Sequence, residues 1–304
     1  RFGFKSRGLG DVYKRQMLNT GVRLGMAAET YEAIAELNAA AARLPLPMFT
    51  LGAHLGRGLD AGLRGDIAAY EAEATATYQH TLEIEDEEAG FIFEGQLFHT
   101  AYMRGDLAPI LDLSIQIMND RPEVALYRAA AALIHVAAGL TDEARRLLDA
   151  ELDLGIEASV DMFEIQALTT WANAAASLGH ERACERLTEV LEHLSTETSG
   201  HLVFVGEPIA LSLGRMATVL RRFDDADAYL DTSAQLAEDF DGDWIRAMTL
   251  ACRAQMLVRR GAEGDHDRAH AVAARALEIA SAQDYRGVVA MVEDLTKALP
   301  GRPG

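Results

Sequence analysis

The sequence has 304 residues, of which 49% are hydrophobic and 25% charged, with a formal net charge of -19. That composition supports a large apolar core and excludes intrinsic disorder, and the negative balance repels phosphate backbones, which argues against direct nucleic-acid binding. Only 7 prolines occur, and Ala, Leu, Glu and Arg recur throughout, so an all-α protein is expected. The two cysteines, Cys184 and Cys252, lie inside helical patterns. Two such residues make neither a disulfide framework nor a metal site, and a reducing cytoplasm is the expected location. The longest charge-free apolar run, Ala129 to Leu140, is too short to cross ~30 Å of hydrocarbon, so no membrane partner is expected. Arg1 to Gln16 has no apolar stretch of the kind a secretory signal needs.

Residues 1–16, RFGFKSRGLGDVYKRQ, carry five basic residues against Asp11 and show no period. The string GDVYKRQ resembles translated library-adapter sequence, so 1–16 is expected to be a non-native or disordered tail. Residues 17–304 are expected to form one helical-repeat domain of a larger protein. Tyr31, Ile34, Leu37 and Ala41 share one helical stripe that should stop near Leu44, before Pro45 and Pro47. Helices should follow over Met48–Leu63 and Asp66–Glu83, with Asp66 as a cap.

Beyond the acidic run Glu83–Glu88, turns are expected at Gly105, Gly139, Gly179, Arg221 and Gly261, at intervals of 34, 40, 42 and 40 residues. Such intervals mark helical-hairpin repeats. The hairpins pair Glu88–Arg104 with Leu107–Asn119, Glu123–Ala138 with Asp142–Leu152, and Asp161–Leu178 with Glu181–Leu194. Pro208–Leu220 then pairs with Asp224–Asp239, and Trp244–Arg260 with His266–Ala282, before a last helix over Arg286–Leu299. Asp106, Thr141 or Asp142, Asp224 and Asp265 are the expected caps. One break, STETSGHLVFVG between Leu194 and Glu207, is long enough to matter; its His201–Val205 run suits a short strand or an extended connector.

In the unit Ile209–Asp241, Ala210, Leu213, Gly214 and Ala217 form one stripe and Phe223, Ala226, Leu230 and Ser233 a second. This spacing resembles the tetratricopeptide repeat, and implies a right-handed α-solenoid of tetratricopeptide-like hairpins. The succession SGHLVFVGEP, LSLGRMATVLRRFDDADAYL and DWIRAMTLACRAQMLVRRGAEGDHDRAHAVAARALEIA is similar to the C-terminal repeat region of large bacterial signal-transducing ATPases. Adenylate cyclase-type regulators and maltose-regulator- or LuxR-type regulators belong to that group. The resemblance implies regulation of, or protein contacts with, an upstream domain of the same polypeptide or another protein. Inducer sensing in the superhelix groove is the alternative. ATP hydrolysis is not expected, because no G-x-x-x-x-G-K-[ST] occurs and the three lysines, Lys5, Lys14 and Lys297, lie outside any such loop.

No residues argue for an enzyme, a cofactor or a metal. His266 and His270 are spaced i, i+4, as are His180 and Cys184, but neither pair has further ligands nearby. The acidic turn Glu238–Asp243 fails the register of a calcium loop. Trp171 falls on a packing stripe and reads as core. If the first helix of each pair lines the concave side, counting back from the turns places Gln96, His99, Gln166, Thr169, Asn173, Arg215 and Gln255 there. This polar row is the candidate binding surface for a peptide or a small polar ligand.

Overall fold

The computed structural model describes residues 16–85, 89–156 and 163–298. Among them all regular structure is helical. Residues 16–23 form α1, followed by α2 (Ala27–Arg43), α3 (Pro47–Arg64), α4 (Ile67–Glu83), α5 (Ala89–Arg104), α6 (Leu111–Asp120), α7 (Ala125–Ala137) and α8 (Thr141–Leu154). Then come α9 (Glu164–Leu178), α10 (Glu181–Leu191), α11 (Ile209–Val219), α12 (Phe223–Asp239), α13 (Asp243–Arg260), α14 (Asp265–Ala282) and α15 (Arg286–Ala298). Most of residues 1–16, all but Gln16, lie outside the described residues, as do Glu88, Asp161 and Leu299 at the ends of expected helices.

The turns fall where the sequence places them. Gly105, Gly139, Gly179 and Gly261 adopt φ of 72°, 76°, 61° and 61°, and Arg221 takes the same left-handed geometry at 59° without a glycine. Capping differs more. Asp66 does cap α4, its Oδ1 accepting from Ala69 N at 2.9 Å. Thr141, Asp142 and Asp224 instead sit in the first turns of α8 and α12, where carboxylates favour the positive end of the helix dipole. Asp106 pairs with Arg286 on α15. Asp265 begins α14, but its carboxylate turns back to accept from Ala262 N and Arg260.

From α7 onward each helix packs against the next along the chain. α7, α9, α11, α13 and α15 each contact the next of their own series, and α8, α10, α12 and α14 pack against neighbours in that series. The small residues Ala172, Ala174, Ala175, Gly214, Ala217 and Ala251 are buried in these contacts and permit close approach.

The expected pairing of Glu88–Arg104 with Leu107–Asn119 gives way to a different arrangement. α5 packs on α4 and α15, whereas α6 packs on α7. The N-terminal helices thus return to the C-terminal end of the stack. Tyr285 OH donates to Gly65 O at 2.8 Å, Trp244 Nε1 to Met103 O at 3.1 Å, and Tyr31 OH to Phe240 O at 2.6 Å. Gly105 and Gly287 meet backbone to backbone: a Cβ on Gly105 would fall 2.2 Å from Gly287 Cα. Periodicity within one helix carries no record of such a closure.

Residues 195–208, between α10 and α11, form a plug. Isolated bridges join Thr198 to Pro208 and His201 to Phe204, so the run is a tight reversal, neither a paired strand nor an open connector. Leu202 N donates to Asn19 Oδ1 and Thr198 N to Arg23 O, both at 2.7 Å. Val205 lies against Gly62 of α3 and Phe204 against Gly95 of α5, where a Cβ would approach the ring to 1.6 Å. Among the described residues no helix is long and apolar enough to cross a membrane.

Candidate functional site

Because α5 leaves α6 and α7 to join α4 and α15, a space opens between them. The cavity has an empty volume of ≈ 1030 Å³, open solvent at its mouth included. Phe91 and Phe98 of α5, Ile110 before α6, Ile117 of α6 and Leu133 of α7 form much of its wall. α9 contributes Gln166, Thr169, Thr170 and Asn173, and the plug contributes Ser199, Phe204 and Glu207. At its edge Phe91, Phe163 and Phe204 pack with ring centroids 4.8–5.6 Å apart, in tilted and edge-on geometries.

One end of the space is polar, and its centre is the buried Glu207, 5% exposed. Its Oε1 accepts from Asn173 Nδ2 at 2.7 Å and Ser212 Oγ at 2.6 Å, and its Oε2 from Tyr102 OH at 3.1 Å. Arg215 Nη1 donates to Asn173 Oδ1 at 2.6 Å and Nη2 to Ser177 Oγ at 3.1 Å. A carboxylate this deep is tolerable only when its lone pairs are filled and a cation stands nearby; here Asn173 bridges it to Arg215. The plug carries Glu207 into place through its own backbone. Ser199 N donates to Glu207 O at 2.9 Å, Glu207 N to Ser199 Oγ at 3.1 Å, and Gln166 Nε2 to Ser199 O at 2.7 Å. Burial, and then Glu207, push the Tyr102 hydroxyl well above its ordinary pKa, so it stays a donor.

Hydroxyls on α9 are satisfied locally. Thr169 Oγ1 donates to Ile165 O and Thr170 Oγ1 to Gln166 O, at 2.9 and 2.7 Å. His99 differs. Its Nε2 is buried without a hydrogen-bond partner, and burial lowers its pKa to about 3, leaving a neutral imidazole at the wall.

Four of the seven residues on the expected polar row therefore converge on the cavity: His99, Gln166, Thr169 and Asn173. They line an interior space rather than an open concave surface, because the plug and the N-terminal helices cover that side. Arg215 stands directly behind Asn173. Gln96 is buried on α5 beside the cavity-lining Gly95 and Leu97 but is not itself part of the wall, and Gln255 is half-buried on α13 and does not line it. Tyr102, Glu207, Ser212 and Phe204 are site residues that helical counting misses. Their only trace in the sequence is the non-periodic SGHLVFVGEP segment, which interrupts the repeats where the cavity wall is needed.

The other candidate groups are occupied structurally. His180 caps α10, accepting from Ala183 N at 3.2 Å through Nδ1, and pairs with Asp149 through Nε2. Burial raises the thiols of Cys184 and Cys252 to about 12 and about 11, so both remain protonated apolar groups. The acidic turn 238–243 is bound by Arg64 and Arg246. Trp171 is buried in the core, 1% exposed. Among the described residues no group of three or more His, Cys, Asp or Glu is placed to hold a metal ion. Compared with known proteins, the chain matches no protein-family model and no curated protein.

Proposed function

We propose that this chain is a non-catalytic, cytoplasmic regulatory module that senses a small molecule in the cavity between α5, α7, α9 and the 195–208 plug. The observation that carries this reading is the cavity itself: four residues of a row picked out by helical register meet there, at one polar end of an otherwise apolar space. Sites for small ligands have this character, a largely apolar wall with a few placed polar groups. Binding rather than turnover is favoured because the carboxylates at the wall are already committed, Glu207 to three donors and Glu94 to Tyr127.

The right-handed tetratricopeptide-like solenoid belongs to the same proposal, supported by the serial contacts of α7, α9, α11, α13 and α15. So does the context of a bacterial signalling ATPase or transcriptional regulator, which rests on sequence resemblance alone. Recognition of a protein in an open concave groove draws less support, because Gln96, His99, Thr169 and Asn173 are all at least nine-tenths buried. A ligand seated between α5 and α7 touches both the N-terminal helices and the repeat stack, so it biases their closure, and a partner domain reads that change. Thermal-shift screening of a metabolite library tests the reading. Wild-type protein is stabilised by at least one compound, and Ala130→Phe, which fills the space, is not; equal stabilisation of both proteins, or of neither by any compound, overturns it.

A further inference from the structure

The charges around the cavity constrain what enters it. Among the described residues its wall includes two carboxylates, Glu94 and Glu207, and no lysine or arginine. Each carboxylate is already compensated from behind. Glu207 faces Arg215 across Asn173, and Glu94 Oε2 accepts from Tyr127 OH at 2.8 Å, which in turn accepts from Arg121 Nη1 at 3.3 Å. An incoming anion meets two carboxylates and no free cation. An incoming cation finds Glu207 filled by three donors and Glu94 holding one, from a Tyr127 hydroxyl that Arg121 in turn engages. In either case burial removes the ligand's charge from water without a partner, which costs several kcal/mol.

Among the described residues, five buried side-chain polar atoms lack a hydrogen-bond partner, and the one that belongs to a cavity-lining residue, His99 Nε2, is itself closed off from the open space, so the wall presents no orphan polar atom to a ligand.

Resting on the reading of the cavity as a small-molecule site, we infer that its ligand is an uncharged, largely apolar molecule. The aliphatic and aromatic side chains of Phe98, Ile110, Ile117 and Leu133 enclose the apolar body. This selects against fatty-acid carboxylates, amines, sugars and nucleotides, which bring charge or many polar groups to a wall without free partners for them.

Calorimetric titration of the 17–304 chain with 1-octanol, octanoate, octylamine, n-octane and maltose tests this. The expected order places 1-octanol at least ~10-fold tighter than octanoate or octylamine, with maltose not binding. Octanoate or octylamine binding as tightly as 1-octanol overturns the assignment of an uncharged ligand while leaving the cavity a binding site. Maltose binding, or failure of all five probes when the metabolite screen yields a hit blocked by Ala130→Phe, overturns it in the same way.

Discussion

The contact between Phe204 of the plug and Gly95 of α5 makes a quantitative prediction about how the cavity wall is held. A Cβ at position 95 would lie 1.6 Å from Phe204 Cε1 and 2.4 Å from Cδ1, so Gly95→Ala displaces the ring. Overpacking of this kind costs about 1–3 kcal/mol. Against it stands a gain of about 0.5–1 kcal/mol, because alanine suits a helix interior better than glycine. Phe204→Ala alone should cost about 3–5 kcal/mol, since the ring is 7% exposed and packs on Phe91 and Phe163. In that background the obstacle to Cβ is gone and only the helix gain remains. Gly95→Ala therefore changes sign: destabilising with Phe204 present, stabilising by about 0.5–1 kcal/mol without it. The coupling equals the steric term, about 1–3 kcal/mol, read from urea unfolding of the two single variants and the double. Additivity to within about 0.5 kcal/mol would show that the plug does not sit against α5, and the reasoning about the cavity wall would fail with it.

Further outcomes follow from other contacts. Tyr285→Phe removes the hydrogen bond to Gly65 O and leaves that buried carbonyl unsatisfied, so urea unfolding should show a loss of about 1–3 kcal/mol. Asp265 is held at a pKa of about 2 by hydrogen bonding to Arg260, below its unfolded value of about 4. Its stabilisation is present above about pH 4 and lost as pH falls toward 2; the urea midpoint should fall more steeply over that window in wild type than in Asp265→Asn. His99 is held near 3 by burial, below an unfolded value of about 6.5, so native stability declines as pH drops below 6.5. NMR should show its ring untitrated between pH 5 and 8, and a midpoint near 6.5 would contradict its burial. Among the described residues α6 packs mainly on α7 and its own preceding turn, so hydrogen exchange there should be the first to slow when ligand binds.

The helices were legible in the sequence because each is a local object. Apolar stripes such as Tyr31, Ile34 and Leu37, bounded by Pro45 or by a left-handed turn at Gly139 or Arg221, fix a helix without reference to distant residues. The same register placed His99, Gln166, Thr169 and Asn173 on one side of their helices, and that side does meet the cavity. Counting along a helix says which way a residue faces, not what lies opposite. Tyr285 on Gly65, Trp244 on Met103 and Phe204 on Gly95 join positions 220, 141 and 109 apart, and no period records them. Glu207 was illegible for a related reason: a lone glutamate beside a proline acquires its role only when Asn173, Ser212 and Tyr102 surround it.

A crystal structure of the protein saturated with the tightest-binding compound from the octyl series tests the cavity most directly. Ligand density is expected between α5 and α7, bounded by Phe98, Leu133 and Phe204. Density elsewhere on the molecule, or α5 packed directly on α7 with no space between them, would contradict this expectation.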